Sequence, residues 1–128
     1  MGLSNSQEVT KAVYPLEATP ITASATGGAG ASNAVSLAGV SGKTTYLTKA
    51  IVTSTSPAAQ QSGVVTISDG TQTLSFQFVE STSAGGFMNL DFSDSHFVAA
   101  ATNTAITVTI PAIGSGGATA IALLGYQR

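Results

Sequence analysis

Residues 64–80 read Val-Val-Thr-Ile-Ser-Asp-Gly-Thr-Gln-Thr-Leu-Ser-Phe-Gln-Phe-Val-Glu, and this stretch decides the fold class. Two runs rich in β-branched and aromatic residues flank the dipeptide Asp69-Gly70. Such a dipeptide indicates a β-hairpin, because a type I′ turn needs positive φ at both central residues. After the turn, Leu74, Phe76 and Phe78 occupy every second position, which places them on one face of a strand. The stretch therefore predicts two antiparallel strands, Val64–Ser68 and Thr71–Glu80.

The same alternation continues on both sides of this hairpin. Further strands are predicted at Thr45–Thr53, Phe87–Phe92, Thr104–Ile110 and Ala118–Tyr126. Turns or loops are predicted between them, at Pro57, Gln60–Gly63, Gly85-Gly86, Pro111 and Gly114–Gly117. No window shows the 3.6-residue period of an amphipathic helix. Seven or eight short strands, each with one apolar face, predict an all-β fold: an antiparallel two-sheet β-sandwich that is jelly-roll-like.

The first part of the chain has a different composition. It contains one possible strand, Val9 to Leu16, followed by Ala-Thr-Ser-Gly sequence around Gly27–Gly30. Small polar residues and glycines favour an extended or flexible segment. We therefore predict an N-terminal arm over residues 1–34 and a β-sandwich domain over residues 35–128. The arm is either a disordered tail or a segment that becomes ordered on a neighbouring subunit.

Charge is scarce in this chain. Lys, Arg, Asp and Glu make up 8% of the residues, against about 25% in an ordinary soluble domain. Ala, Ser, Thr and Gly together supply 68 of the 128 residues. Such a surface is kept in water by small hydroxyls, or it is buried against partners. The stretch Ser95–Gln127 has no formal charge and holds the last two predicted strands, so subunit contacts are expected there first.

Composition also excludes several classes of partner. Four Lys and Arg residues cannot form the basic patch that nucleic-acid binding needs. The absence of cysteine excludes disulfides and thiolate metal sites. Glu8 and Lys11 interrupt the first dozen residues, so no signal peptide is indicated. The uncharged stretches contain too many Thr, Ser, Gly and Pro residues to cross a bilayer. We expect a soluble protein, made in a cytoplasm, that contacts neither nucleic acid nor membrane.

Two short motifs resemble ligand-binding sites, one for phosphate and one for a metal ion. Ser41–Thr45 resembles the end of a phosphate-binding loop, but the glycine that the full pattern requires is replaced by Leu37, and a strand follows instead of a helix. A turn that enters a strand is the better interpretation. The segment Asp91–His96 gathers two carboxylates and the only imidazole, and Asp94 and His96 share a face if the segment is extended. Turn hydrogen bonds are the leading interpretation; a metal site or a polar contact with a partner is the alternative.

Catalytic arrangements are absent from the sequence. There is no Gly-x-Ser-x-Gly elbow, and no pair of carboxylates stands out for glycoside hydrolysis. Trp is missing, and the tyrosines at 14, 46 and 126 are expected to pack in the core or at its rim with a solvated hydroxyl. We therefore predict that the protein is not an enzyme, uses no cofactor, and has no catalytic, cofactor-binding or metal-ligating residue.

About two-thirds of the chain resembles a known group of proteins. The matching stretches are Gly42–Leu47, Val65–Gly70, Gly85–Met88, Ala101–Pro111, Gly116–Ala120 and Gly125–Gln127. In these stretches the chain is similar to small proteins of tailed-phage and prophage structural gene clusters. The segment Phe92–Val98 departs from the Pro-rich sequence of that group.

The resemblance implies a virion structural protein, most plausibly a capsid decoration (cement) protein on the virion surface, made in the cytoplasm of a bacterial host. It implies a homotrimer that binds the major capsid protein. The alternative is a receptor- or glycan-binding module of a head or tail fibre, with contacts on loops 54–63 and 93–102.

Overall fold

A computed structural model describes residues 15–128, and these residues form an all-β sandwich. The strands are β1 (Thr19–Gly27), β2 (Asn33–Leu37), β3 (Thr45–Ser54), β4 (Gln61–Ser68), β5 (Thr73–Glu80), β6 (Gly86–Asp91), β7 (Phe97–Val98), β8 (Ile106–Ile110) and β9 (Thr119–Gln127). Every strand pair is antiparallel. The prediction of an antiparallel two-sheet sandwich is confirmed.

The strands form two sheets. Sheet A has the order β1-β9-β3-β6, with the short β7 also paired to β3, and sheet B has the order β2-β8-β4-β5. The last two strands therefore lie inside different sheets, β8 in sheet B and β9 in sheet A. Each of them pairs with a strand on both sides, so the C-terminal part of the chain holds both sheets together.

The core lies between the inward faces of the two sheets. The predicted alternation is confirmed in β8, where Ile106, Val108 and Ile110 are fully buried, and in β9, where Ile121 and Leu123 are. Other fully buried apolar side chains come from four further strands: Leu37, Leu47, Val52, Val65, Ile67 and Phe78. Each such side chain contributes about 1.5–3 kcal/mol on leaving water. Burial of the apolar side chains that alternate along the strands thus stabilises the fold.

The N-terminal part of the sandwich differs from the prediction. Strand β1 pairs with β9 along its whole length, from Thr19↔Gln127 to Gly27↔Thr119. The boundary expected at residues 34 and 35 falls inside β2. Ile21, Ala23 and Ala25 alternate on the inner side of β1, and small residues suffice there because an edge strand covers only the rim of the core. Composition alone could not reveal a pairing across about a hundred residues.

Of the strand expected over Val9 to Leu16, residues 9–14 lie outside the described residues. Pro15 and Leu16 are described and belong to a turn that precedes β1. The expected arm therefore stays a prediction for residues 1–14.

The β4–β5 hairpin exists, but its turn is not the expected one. Ser68 pairs with Thr73, so the loop has four residues, 69–72, instead of two. Gly70 has a φ of 91°, whereas Asp69 does not have the positive φ that a type I′ turn requires. Instead, the Asp69 side chain accepts hydrogen bonds from the loop backbone. The loop expected at Gln60–Gly63 is also shorter, because β4 begins at Gln61.

A glycine in the middle of β9 is required by a close backbone approach. A Cβ atom on Gly125 would overlap the carbonyl oxygen of Tyr46 on β3, and it would lie 2.9 Å from Leu37 Cδ1. Gly125 sits beside a register shift between Leu47 and Lys49, where β3 bulges. The glycine lets the two strands stay paired next to this bulge.

We expect Gly125→Ala to lower the free energy of unfolding by about 2–3 kcal/mol, because the methyl group must displace the β3 backbone. Gly28→Ala is the matched control: its Cβ would meet nothing within 4 Å, and its φ is not positive. This control should change stability by less than about 1 kcal/mol. Urea unfolding of both variants measures the difference, and equal stability of the two would contradict the close approach.

Candidate functional site

The structure places the residues of the phosphate-loop-like motif in a turn. Gly42 has a φ of 78°, and the amide of Lys43 donates to the carbonyl of Val40 at 3.0 Å. Strand β3 follows directly at Thr45. The ammonium of Lys43 is 3.4 Å from the hydroxyl of Thr19. The interpretation of this motif as a turn entering a strand is confirmed.

The segment Asp91–His96 forms a bend over residues 93–95 and is not extended. The carboxylate of Asp91 accepts a hydrogen bond from the Ser93 amide at 2.9 Å. Bonds from the Ser93 amide and hydroxyl, together with the nearby ammonium of Lys49, lower the pKa of Asp91. Within residues 15–128, no group of three or more His, Asp or Glu side chains is arranged to hold a metal ion. The turn interpretation of Asp91 is therefore confirmed.

His96 belongs to an aromatic cluster that the sequence did not reveal. Tyr46 and Tyr126 are register partners on β3 and β9, and their rings stack with centroids 4.6 Å apart and an interplanar angle of 11°. The His96 ring meets Tyr126 edge-on at 5.4 Å, and its Nδ1 is 2.7 Å from the carbonyl oxygen of Phe92. Burial and the neighbouring Tyr46 raise the pKa of Tyr126. The cluster holds the 92–97 segment against sheet A. The third tyrosine, Tyr14, lies outside the described residues.

Asp69 is a buried carboxylate that ties its own loop, residues 69–72, to residues 98–100. Its oxygens accept from the amides of Thr71 and Gln72 at 2.8 Å, and from the amide of Ala100 at 2.7 Å. The Gln72 side chain also donates to Asp69, and it reaches the carbonyl of Val98. Burial alone would raise the pKa of Asp69, but these hydrogen bonds outweigh it and lower the pKa to about 2. The sequence indicated a turn here but not the link to residues 98–100.

Glu80 is a second buried carboxylate that the sequence analysis missed. It is fully buried at the end of β5, and its Oε2 accepts from the amide of Gly117 at 2.8 Å. Glu80 follows Leu74, Phe76 and Phe78 at every second position, so the pattern that predicted the apolar face also places Glu80 on it. This place in the alternation was the signal in the sequence that Glu80 would be buried. Both buried acids hold loops through hydrogen bonds from backbone amides.

The outward side of sheet A is a surface almost without charge. Three rungs of register partners cross it, and we call these twelve residues the sheet A outer face: Thr22, Leu124, Lys49 and Asp91; Ser24, Ala122, Ile51 and Asn89; Thr26, Ala120, Thr53 and Phe87. Lys49 and Asp91 are its only charged members, and they lie opposite each other. Phe87 is 71% exposed, a high value for a phenylalanine.

The uncharged last strand, β9, supplies the middle of this surface, whereas β8 lies in sheet B. Ala120, Ala122 and Leu124 on β9 are half-buried, as are Thr107 and Thr109 on the outward side of β8. Neighbouring strands cover part of each of these side chains, so in a single copy of the protein the side chains are partly exposed to solvent. A shallow depression of about 430 Å³ lies between β1 and β9, lined in part by Thr22, Ser24, Ala122 and Leu124. The expectation of subunit contacts there stays a prediction.

The described residues, 15–128, include no helix long and apolar enough to cross a membrane.

Comparison with known proteins yields one structural similarity. No family model and no curated protein sequence matches this chain. A virus-like particle structure of the extra small virus of the giant freshwater prawn, Macrobrachium rosenbergii, has a chain that aligns with a TM-score of 0.44 and 14% identity. The alignment covers 91% of this chain and 83% of the viral chain. A similarity at this level does not assign the protein to a family.

The Asp69 contacts predict an acid-dependent stability. Because the folded protein holds the pKa of Asp69 near 2, below its ordinary value of 3.8, the carboxylate stabilises the fold at pH values above 3.8. This stabilisation is lost as the pH falls from 3.8 towards 2. The shift corresponds to about 2 kcal/mol. Chemical unfolding at a series of pH values between 6 and about 2 measures the loss.

Asp69→Asn tests the assignment. The amide nitrogen would face N–H donors at one of the two oxygen positions, so we expect a loss of about 1–3 kcal/mol at neutral pH and a weaker dependence between pH 4 and 2. Asp94→Asn is the control, since Asp94 is exposed in the neighbouring bend. An unchanged acid dependence in Asp69→Asn would contradict the role of this carboxylate.

Proposed function

We propose that this chain is a non-enzymatic structural protein of a phage virion, and specifically a capsid decoration protein that binds and stabilises the major capsid lattice. The observation that carries the proposal is the sheet A outer face. Ten of its twelve members are uncharged, and its one cation and one anion are register partners. This arrangement suits a surface that is covered by other proteins.

The physical reason is the cost of desolvation. Burying an unpaired charge in an interface is expensive, whereas alanine, leucine and isoleucine side chains gain free energy when they leave water. Serine and threonine hydroxyls find hydrogen-bond partners easily because they rotate. The central parts of protein interfaces are accordingly poor in charge, and Phe87 adds the kind of exposed aromatic anchor found at their centres.

The order of the strands supports a jelly-roll winding as part of this proposal. Four pairs of chain-adjacent strands, β1/β2, β9/β8, β3/β4 and β6/β5, stand at matching places in the two sheets. This double-sheet winding is one that viral capsid and lectin domains use. Since one fold hosts many functions, the winding agrees with the proposal but does not carry it.

We further propose a homotrimer on the capsid surface, with residues 1–14 as an arm that becomes ordered there. The arm would add contacts with the capsid beyond those of the sandwich. The major capsid protein is the proposed partner, and the bacterial host cytoplasm is the proposed place of synthesis.

The first test uses virions of the virus that encodes the chain. We expect quantitative mass spectrometry to find it in purified particles, in a fixed ratio to the major capsid protein, and immunogold labelling to mark capsid faces. Labelling confined to tail tips would support the receptor- or glycan-binding alternative instead. Absence of the chain from purified virions would contradict both.

The second test places a charge on the sheet A outer face. Ala122→Lys puts an unpaired ammonium at its centre, and we expect binding to capsids that lack the chain to weaken by roughly tenfold or more, since each 1.4 kcal/mol is tenfold. Thr66→Lys on the outward side of sheet B is the control, because it adds the same charge to a half-buried position on the other face. Thermal unfolding checks that both variants fold. Equal capsid affinity of the two variants would exclude sheet A as the contact.

A further inference from the structure

Strand β1 is an edge strand with one side unpaired. All nine of its residues pair with β9, and sheet A continues on the far side of β9 to β3 and β6. Among residues 15–128, no strand pairs with the opposite side of β1. A strand in this position presents a row of backbone amide and carbonyl groups that another strand can bind.

The register shows which backbone groups point outward. On β9, Arg128 exchanges two backbone hydrogen bonds with Thr44, and the Ala118 carbonyl accepts from the Thr55 amide, so even-numbered β9 residues bond to the β3 side. Odd-numbered β9 residues therefore bond to β1, where they pair with odd-numbered residues. The backbone groups of the even-numbered β1 residues consequently face the free edge: Pro20, Thr22, Ser24 and Thr26.

This edge lacks the usual protections against strand addition. Charged side chains, bulges and inward-pointing charges normally protect an edge strand, and β1 has no charged residue and no shift in its register with β9. Its only protection is Pro20, which has no amide hydrogen and lies at one end. Strand β5, at the edge of sheet B, differs because it carries the inward-pointing Glu80.

Residues 15–18 form a turn directly before β1. The Ala18 amide donates to the Pro15 carbonyl at 3.2 Å, and Glu17 has a φ of 68°. Leu16 does not have positive φ, so the turn has the type II pattern and not the type I′ or II′ pattern. Type II turns do not match the twist of a tight hairpin, so residues 15–18 do not form the turn that a two-residue hairpin with β1 would require.

We propose that β1 pairs with β1 of a second copy, antiparallel, about a two-fold axis at Ser24. Ser24 then faces its own counterpart, and Thr22 faces Thr26 of the second copy, with about six backbone hydrogen bonds between the outward groups. Pro20 falls opposite Gly28, outside the bonded region. The contact is self-complementary, as a two-fold interface requires, and it joins the two copies of sheet A into one continuous sheet.

Charge and shape agree with this occupant. Glu17 and Lys43 are the charged residues next to the start of β1, and the axis places them near the Gly28–Ala31 turn of the second copy, which has no charge. No like charges meet across the contact. The depression beside Ser24 adjoins the axis, and Thr26 of the second copy lies next to Thr22 at its rim. The pairing is two-fold and independent of the virion role and of the proposed trimer.

The first experiment measures the mass of the full chain in solution. We expect native mass spectrometry and light scattering to give a species of twice the 12.7 kDa chain mass, or even multiples of it. Ser24→Pro removes one outward amide and no bond to β9, and it should give at least a tenfold weaker dimer. Ser75→Pro is the control, because Ser75 lies on the edge strand β5 and its amide points away from β4, so the dimer should persist. A wild-type chain that is a monomer or a trimer of three copies, or equal loss in both variants, overturns the proposal.

The second experiment does not depend on how well the proline variants fold. The chain has no cysteine, so Ser24→Cys introduces a unique thiol whose counterpart would lie about 5.5 Å away between Cα atoms, within disulfide range. Under mild oxidation we expect rapid symmetric cross-linking of Ser24→Cys and at least tenfold slower cross-linking of Ser75→Cys. Equal rates for the two variants would overturn β1–β1 pairing. In a mixture of Ser24→Cys and Thr10→Cys, preferential cross-linking between the two variants would also overturn it and would assign the edge to the N-terminal segment.

Discussion

The double pairing of strand β9 is the interaction on which the rest of this structure depends. Its even-numbered residues bond to β3 and its odd-numbered residues bond to β1, so the end of the chain holds the beginning and the middle in one sheet. The inward side chains Ile121 and Leu123 are buried with those of β8 between the two sheets. Gly125 permits the close approach to β3 at the bulge. A strand with two partners and a buried face cannot shift its register without exposing the core.

The few charged residues are used in two different ways. Asp69 and Glu80 lie inside the protein, where their carboxylates accept backbone amides and hold the β4–β5 loop and the turn before β9. Of the remaining charges among residues 15–128, Lys49 and Asp91 face each other across one rung of sheet A. The number of charged groups on the surface of the sandwich is therefore even smaller than its composition suggests. This leaves broad areas of methyl and hydroxyl groups in contact with solvent.

Two of these areas fit association in different ways. The sheet A outer face is four strands wide, and it suits a large protein partner that removes it from water. The free edge of β1 offers directional backbone hydrogen bonds and suits a single added strand. They adjoin along Thr22, Ser24 and Thr26, whose side chains belong to the face while their backbone groups form the edge. An assembly that uses both would bury most of the uncharged surface of sheet A.

Much of this architecture was predictable from local patterns. Alternation in 64–80 and 104–110 established the strands and their buried faces, because a strand has a period of two whatever it pairs with. The turn at Gly42 and the Asp91–Ser93 bond also depend on a few adjacent residues. The β1 strand was not predictable in this way: its small residues give little hydrophobic signal, and it is a strand because β9 offers it a partner. The Tyr46–Tyr126–His96 cluster and the reach of Asp69 to Ala100 likewise depend on contacts between distant residues.

The sequence by itself determined that this protein is a charge-poor antiparallel sandwich with uncharged final strands, because composition and side-chain period are local properties. Only the tertiary structure decided that those final strands lie at the centres of two different sheets, that two acids are buried, and that, among residues 15–128, no strand of the chain lies beyond β1 in sheet A. These features follow from which strands pair and in what register. Pairing is set by burial and hydrogen bonding between segments far apart in the chain, and short-range patterns do not encode it.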